Sequence, residues 1–210
     1  MWPGPGRSTN PAALMKFVYF ITHPEVIIDP AVPVTQWPLA DKGKERLGIM
    51  LDQPWIFEIG SVYCSAEQKA VDGAAILGEF VELDYQIVPE LGELDRSSTG
   101  YLPHAEHEAA ANDAFAHPDE SSRGWEIASA AQKRILKAVR RLIRDDQSHG
   151  HIAIVSHGAV GAFLLCDLKG VPISRVHDQP GSGGGNYFAF RADNLALLHD
   201  WRPIDSEAAF

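Results

Sequence analysis

The 210-residue chain holds only two cysteines, Cys64 and Cys166, far apart and each in an apolar stretch. That excludes a disulfide framework or a cysteine zinc site and points to a reducing cytoplasm. No apolar run approaches the roughly 18 residues needed to cross a bilayer, so a membrane partner is not expected. Positive charge is scarce: 18 Lys and Arg stand against 28 Asp and Glu, a formal charge of -10. With no pooled cationic face to neutralise a row of phosphates, nucleic acid is excluded as a partner. Internal repeats and low-complexity domains are also absent. Residues 1–14 lack the apolar core of a signal peptide and are rich in Pro and Gly, so they read as a flexible extension, with Met15 an equally good start.

What is present is the composition of one α/β domain over residues 15–210, with 45% apolar residues to fill its core. Short charge-free runs at 17–21, 61–65, 86–88 and 152–155 read as buried strands. They alternate with amphipathic stretches near 41–51, 67–83, 125–146 and 158–170, and a closing hairpin spans 186–190 and 195–199. This rhythm specifies a three-layer α/β/α sandwich, a mostly parallel sheet with helices on both faces. The cations Lys133, Arg134, Lys137, Arg140, Arg141 and Arg144 read as a solvated helix face. Gly181 to Gly185 reads as a flexible lead into the hairpin, with Asn186 facing the site. Residues 94–124 break the rhythm as an acidic insertion covering the strand ends.

Two histidines occupy matching places. His23 follows Phe17-Val18-Tyr19-Phe20-Ile21-Thr22, and His157 follows Ile152-Ala153-Ile154-Val155-Ser156. Each is delivered to the C-terminal end of a buried strand, where an open parallel sheet binds its ligands. A neutral imidazole can attack phosphorus, and phosphoryl transfer then needs little beyond positioning and donors around the equatorial oxygens. The residues proposed for this are His23 as nucleophile, His157 facing it across an anion-sized gap, the amides of Gly158 and Ala159 at a helix start, and Glu93 as proton donor. Arg96 is a nearby guanidinium.

Strand-x-His, Trp37-Pro38-Leu39-Ala40-Asp41-Lys42-Gly43, Ser65-Ala66-Glu67-Gln68-Lys69-Ala70, Leu91-Gly92-Glu93 and Val155-Ser156-His157-Gly158 occur in this order. Together they resemble the signatures of the histidine phosphatase superfamily, which includes the cofactor-dependent phosphoglycerate mutases. The resemblance implies a phosphohistidine on His23, His157 as its transition-state partner, Glu93 as the acid, and neither a metal nor an organic cofactor. The chain departs from that pattern at its first motif, where Arg-His-Gly becomes Thr22-His23-Pro24, removing a guanidinium and a backbone donor. Lys69 stands for a second arginine, and Asp29 for an asparagine.

The expectation is a cytoplasmic, metal-independent phosphate-monoester hydrolase acting on a small phosphorylated substrate, with phosphate held by Thr22, Lys69, Gly158, Ala159 and Arg96. A homodimer is left open. Arg7 and Arg175 are further cations that could serve the phosphate. Mutase activity is disfavoured, because a sugar-acid phosphate calls for a more cationic pocket. The alternative is a weak or inactive relative that binds without turnover, motivated by Thr22. A metal-dependent hydrolase built on His104, His107 and Glu108 is a distant third.

Overall fold

The computed structural model describes residues 15–181 and 183–206. The extension read over 1–14, Arg7 included, lies outside them. The chain runs through β1 (Phe17–Thr22), α1 (Asp41–Met50), β2 (Ile59–Cys64), α2 (Gln68–Val81), β3 (Tyr85–Ile87), α3 (His104–Ala116), α4 (Ala128–Asp145), β4 (His151–Ser156), α5 (Gly158–Lys169), β5 (Asn186–Arg191) and β6 (Leu197–Pro203). The strands form one sheet in the order β3-β2-β4-β1-β5-β6. Its first four positions are parallel, and β5 and β6 add an antiparallel edge.

The apolar strands are explained by burial on both faces. Along β1, Val18 and Phe20 point into a core built with α3, α4 and α5, whereas Tyr19 and Ile21 point into a second core under α1 and α2. A strand covered on both sides has no polar positions to offer, so period-two alternation disappears. Phe20 is fully buried and stacks on Phe188 at 5.2 Å between centroids. Truncating it to Ala should cost about 3–5 kcal/mol.

The helices follow the same logic. On α4, Ala128, Ala131, Ile135, Ala138, Val139 and Leu142 make the buried stripe. The helix starts later than Trp125, because that indole is buried in the preceding loop and donates to Thr99 Oγ1 at 2.9 Å. α5 stops at Gly170, which takes the left-handed conformation at φ 65°. The third strand, read over 86–88, is an exposed edge at Tyr85–Ile87. The insertion read over 94–124 contains α3, whose buried Ala110, Ala111, Ala114 and Phe115 tie it to the main core. No helix among the described residues is long and apolar enough to cross a membrane.

Candidate active site

Strand register brings the site together. Thr22 pairs with Ser156 and Cys64 with Val155, so β1, β4 and β2 end side by side. The next residues are His23, His157 and Ser65; His23 N donates to Ser156 O, and Ser65 N to Val155 O, both at 3.1 Å. Three consecutive ends of a parallel sheet therefore deliver two imidazoles and a hydroxyl to one point.

His23 has a defined tautomer. Its Nδ1 lies 2.9 Å from the Pro24 carbonyl, which can only accept, so Nδ1 carries the proton and the Nε2 lone pair is left for the cavity. Burial above all, and then the Lys69 charge, push its pKa down to about 4. The ring is neutral at any pH near 7.

His157 meets His23 edge to face, with 5.2 Å between ring centroids. That is ring contact, closer than the anion-sized gap expected. The His157 ring is fully buried. Its Nε2 lies 2.6 Å from Ser65 Oγ and 3.4 Å from Glu67 Oε1. Its Nδ1 is buried with no partner among the described residues. Burial holds this imidazole neutral, its pKa well below the ordinary value, with the Glu67 carboxylate opposing.

Glu93 sits at the start of α5. Its Oε2 accepts from Ala159 N at 3.1 Å, and its Oε1 accepts from Val160 N at 3.1 Å and Leu94 N at 2.8 Å. Burial pushes its pKa up, and the Glu67 charge adds to that against the three amide hydrogen bonds. The Ala159 amide expected at the phosphate is thus given to Glu93. Among α5's first four amides, Gly161 donates back to His157 O, and Gly158 is left facing the cavity.

The cations are arranged differently from expectation. Thr22 is fully buried and its hydroxyl bonds Gln179 and Asn186 rather than the cavity. Lys69 is also buried; its ammonium donates to Glu67 Oε2 at 2.5 Å and Val34 O at 2.8 Å. Burial works against the Glu67 carboxylate, but the Lys69 ammonium and the Glu93 N–H help to hold its pKa down at about 2. Lys69 is therefore neutralised by a neighbour two residues earlier. Arg175 lines the cavity but is paired with Glu108 at 2.7 Å and Asp178 at 3.2 Å. Arg96 lines it too, and among the described residues its guanidinium has neither hydrogen bond nor ion pair. Asp29 is exposed and turned to its own loop, accepting from Ala31 N at 2.9 Å.

Three expectations are corrected by hydrogen bonds and close contacts. Arg134 is not a solvated cation: it donates to the carbonyls of Glu90, Gly92 and Glu93 and to both Glu126 oxygens, at 2.7–3.0 Å. It clamps the turn that presents Glu93. Gly184 and Gly185 are not a loose lead either. Gly184 has φ +70°, a Cβ there would lie 2.3 Å from His23 O, and Gly185 N donates to that same carbonyl at 3.0 Å. Only glycine fits so close behind His23. Asn186 is buried against Gln179, Pro180 and Gly184, so it does not face the cavity as expected.

The cavity over these groups has a volume of about 670 Å³. His23, Glu93, Arg96, Gly158 and Gln179 line it, as do His104, His107, Phe115 and Trp125. His104 and His107 do share a face of α3, yet no group of three metal-ligating side chains occurs among the described residues.

Comparison with known proteins agrees with this fold. A family model, "Histidine phosphatase superfamily (branch 1)", matches residues 32–185. The match begins past His23 and so does not cover the first motif. A mycobacterial glucosyl-3-phosphoglycerate phosphatase with inorganic phosphate is similar at 17% identity, TM-score 0.71, over 91% of this chain and 100% of that one. A putative alpha-ribazole-5'-P phosphatase from Escherichia coli matches at 20% identity, TM-score 0.70, over 92% and 98%. Bacillus stearothermophilus YhfR matches at 22% identity, TM-score 0.69, over 88% and 95%. No curated protein sequence matches the chain.

Proposed function

The chain belongs to the histidine phosphatase superfamily, branch 1, and from that premise we propose that it hydrolyses a small phosphate monoester through a phosphohistidine on His23. The observation that carries this reading is the His23 Nδ1 contact with the Pro24 carbonyl, which leaves a neutral Nε2 free on a ring 5.2 Å from that of His157, whose Nδ1 has no partner among the described residues. The solved structures of similar fold that are named as phosphatases support the reaction class.

In the first step His23 Nε2 bonds to phosphorus and the ester P–O bond breaks. The leaving oxygen takes its proton from Glu93. Oε1 of that carboxyl already accepts two amide bonds whereas Oε2 accepts one, so Oε2 is the better seat for the proton. Water then attacks phosphorus, the P–N bond breaks, and Glu93 recovers a proton from the water. His157 Nδ1, Arg96 and the Gly158 amide are the donors for the equatorial oxygens.

A second reading, binding without efficient turnover, is favoured by one observation: the ammonium of Lys69 is spent on Glu67. Losing one charged donor costs on the order of 1.5–3 kcal/mol, or about 10- to 100-fold in affinity. That weakens a phosphatase without abolishing one. Mixing the protein with an aryl phosphate decides between them: turnover lost in His23→Ala supports hydrolysis, and phosphate binding without turnover supports the second reading.

A further inference from the structure

Gln179 lies in the Pro- and Gly-containing segment before β5, and nothing in the chemistry above uses it. Its Oε1 is the meeting point of two donors, Thr22 Oγ1 at 2.7 Å and Asn186 Nδ2 at 3.3 Å. Asn186 Nδ2 is itself fixed as a donor by the carbonyls of Pro180 at 3.1 Å and Gly184 at 3.3 Å. Reversing the Gln179 amide would set nitrogen against nitrogen, so the network assigns the oxygen to this side. The amide nitrogen therefore points the other way. A Cβ on Gly158 would lie only 2.2 Å from Gln179 Nε2, which seats the amide directly on the start of α5. The residue lines the cavity with His23, Glu93, Arg96 and Gly158, and Nε2 has no acceptor among the described residues.

We propose that Gln179 is a phosphate-binding residue of this site, its amide nitrogen aimed at the phosphoryl oxygens by Thr22 and Asn186. This rests on the phosphatase reading above. The Thr22–Gln179 pair supplies, with a neutral donor from another loop, a contact that an arginine at position 22 would supply with charge. It also gives the Arg-to-Thr replacement a purpose. The threonine hydroxyl gives up the cavity and orients an amide that reaches it, while its Oγ1 also accepts from Asn186 N at 2.9 Å and locks β1 to β5.

Inorganic phosphate is the probe. Its dissociation constant, by calorimetry, and its inhibition of aryl phosphate hydrolysis should both weaken about 10- to 100-fold in Gln179→Met, which keeps the shape but loses the donor. Thr22→Val should weaken phosphate in the same direction, and Thr22→Ser, which keeps the hydroxyl, should restore it. A folded Gln179→Met that binds phosphate like the parent overturns the proposal; should that variant not fold, equal phosphate affinity in Thr22→Val and Thr22→Ser does so. A parent protein that hydrolyses the ester while Gln179→Met binds phosphate unchanged sinks only this inference. A parent that neither binds phosphate nor hydrolyses the ester overturns the phosphatase reading and this one with it.

Discussion

The guanidinium of Arg134 donates from Nη2 to the backbone carbonyl of Glu93 at 3.0 Å. The same side chain holds the carbonyls of Glu90 and Gly92 at 2.9 and 2.8 Å, so one residue of α4 fixes the turn on which the proposed proton donor stands. Arg134→Lys keeps the charge and loses the fork. It should slow hydrolysis of an alkyl phosphate by about 10-fold, the scale of one charged hydrogen bond, and barely change a nitrophenyl phosphate, whose leaving group needs no proton. Equal slowing of both substrates would mean that Arg134 serves only stability.

Glu93→Gln sharpens the same contrast. General acid catalysis contributes about 10²- to 10⁴-fold, so turnover of alkyl phosphates should fall by that much while nitrophenyl phosphate loses far less. The pH profile should change with it: burial raises the Glu93 pKa, and the descending limb that this group gives the parent should vanish in the variant. A descending limb that persists in Glu93→Gln would assign the proton to another group.

Stability should fall on mild acidification. His23 binds a proton near pH 6.5 when unfolded but only near 4 in the fold, and His157 is shifted the same way. The unfolded chain therefore takes up more protons between these values, and the contribution from keeping the rings neutral is complete above about 6.5 and lost as pH falls toward about 4. Urea titrations across that window should show the loss, and His23→Ala should reduce its slope. An unchanged slope would place the His23 titration elsewhere.

Much of this was legible in the sequence, and the reasons differ by residue. The strands around His23 and His157 were readable because burial on both faces forces an unbroken apolar run, and a parallel sheet puts ligands at the ends of such runs. Glu93 was readable only through its order among the other motifs. Gln179 carried no signal: a neutral residue between Asp178 and Pro180 has no periodicity, and its role depends on Thr22, 157 positions away. Arg134 looked solvated because its acceptors, Glu90 to Glu93, lie more than 40 residues upstream. The pairing of Lys69 with Glu67 is local, since the acid stands two residues before the lysine at the helix start.

Gly184→Ala tests the close approach behind His23. Its φ of +70° and the 2.3 Å contact of the added carbon with His23 O are backbone constraints that no rotamer can relieve. A loss of at least about 1 kcal/mol is expected, seen as a drop in Tm of roughly 2–4 °C or more for a domain of this size, together with reduced turnover. Gly48→Ala, where an added carbon meets nothing within 4 Å, is the matched control and should be neutral or slightly stabilising. Equal behaviour of the two would contradict the packing described.

The most direct test is to mix the protein with a phosphate monoester, quench in base within the first turnovers, and map the phosphoryl group by peptide mass analysis. A phosphoryl group on the peptide bearing His23, absent in His23→Ala and accumulating in Glu93→Gln with an activated ester, is the predicted result. Turnover with the phosphoryl group on another residue, or with none trapped in either protein, would contradict the account.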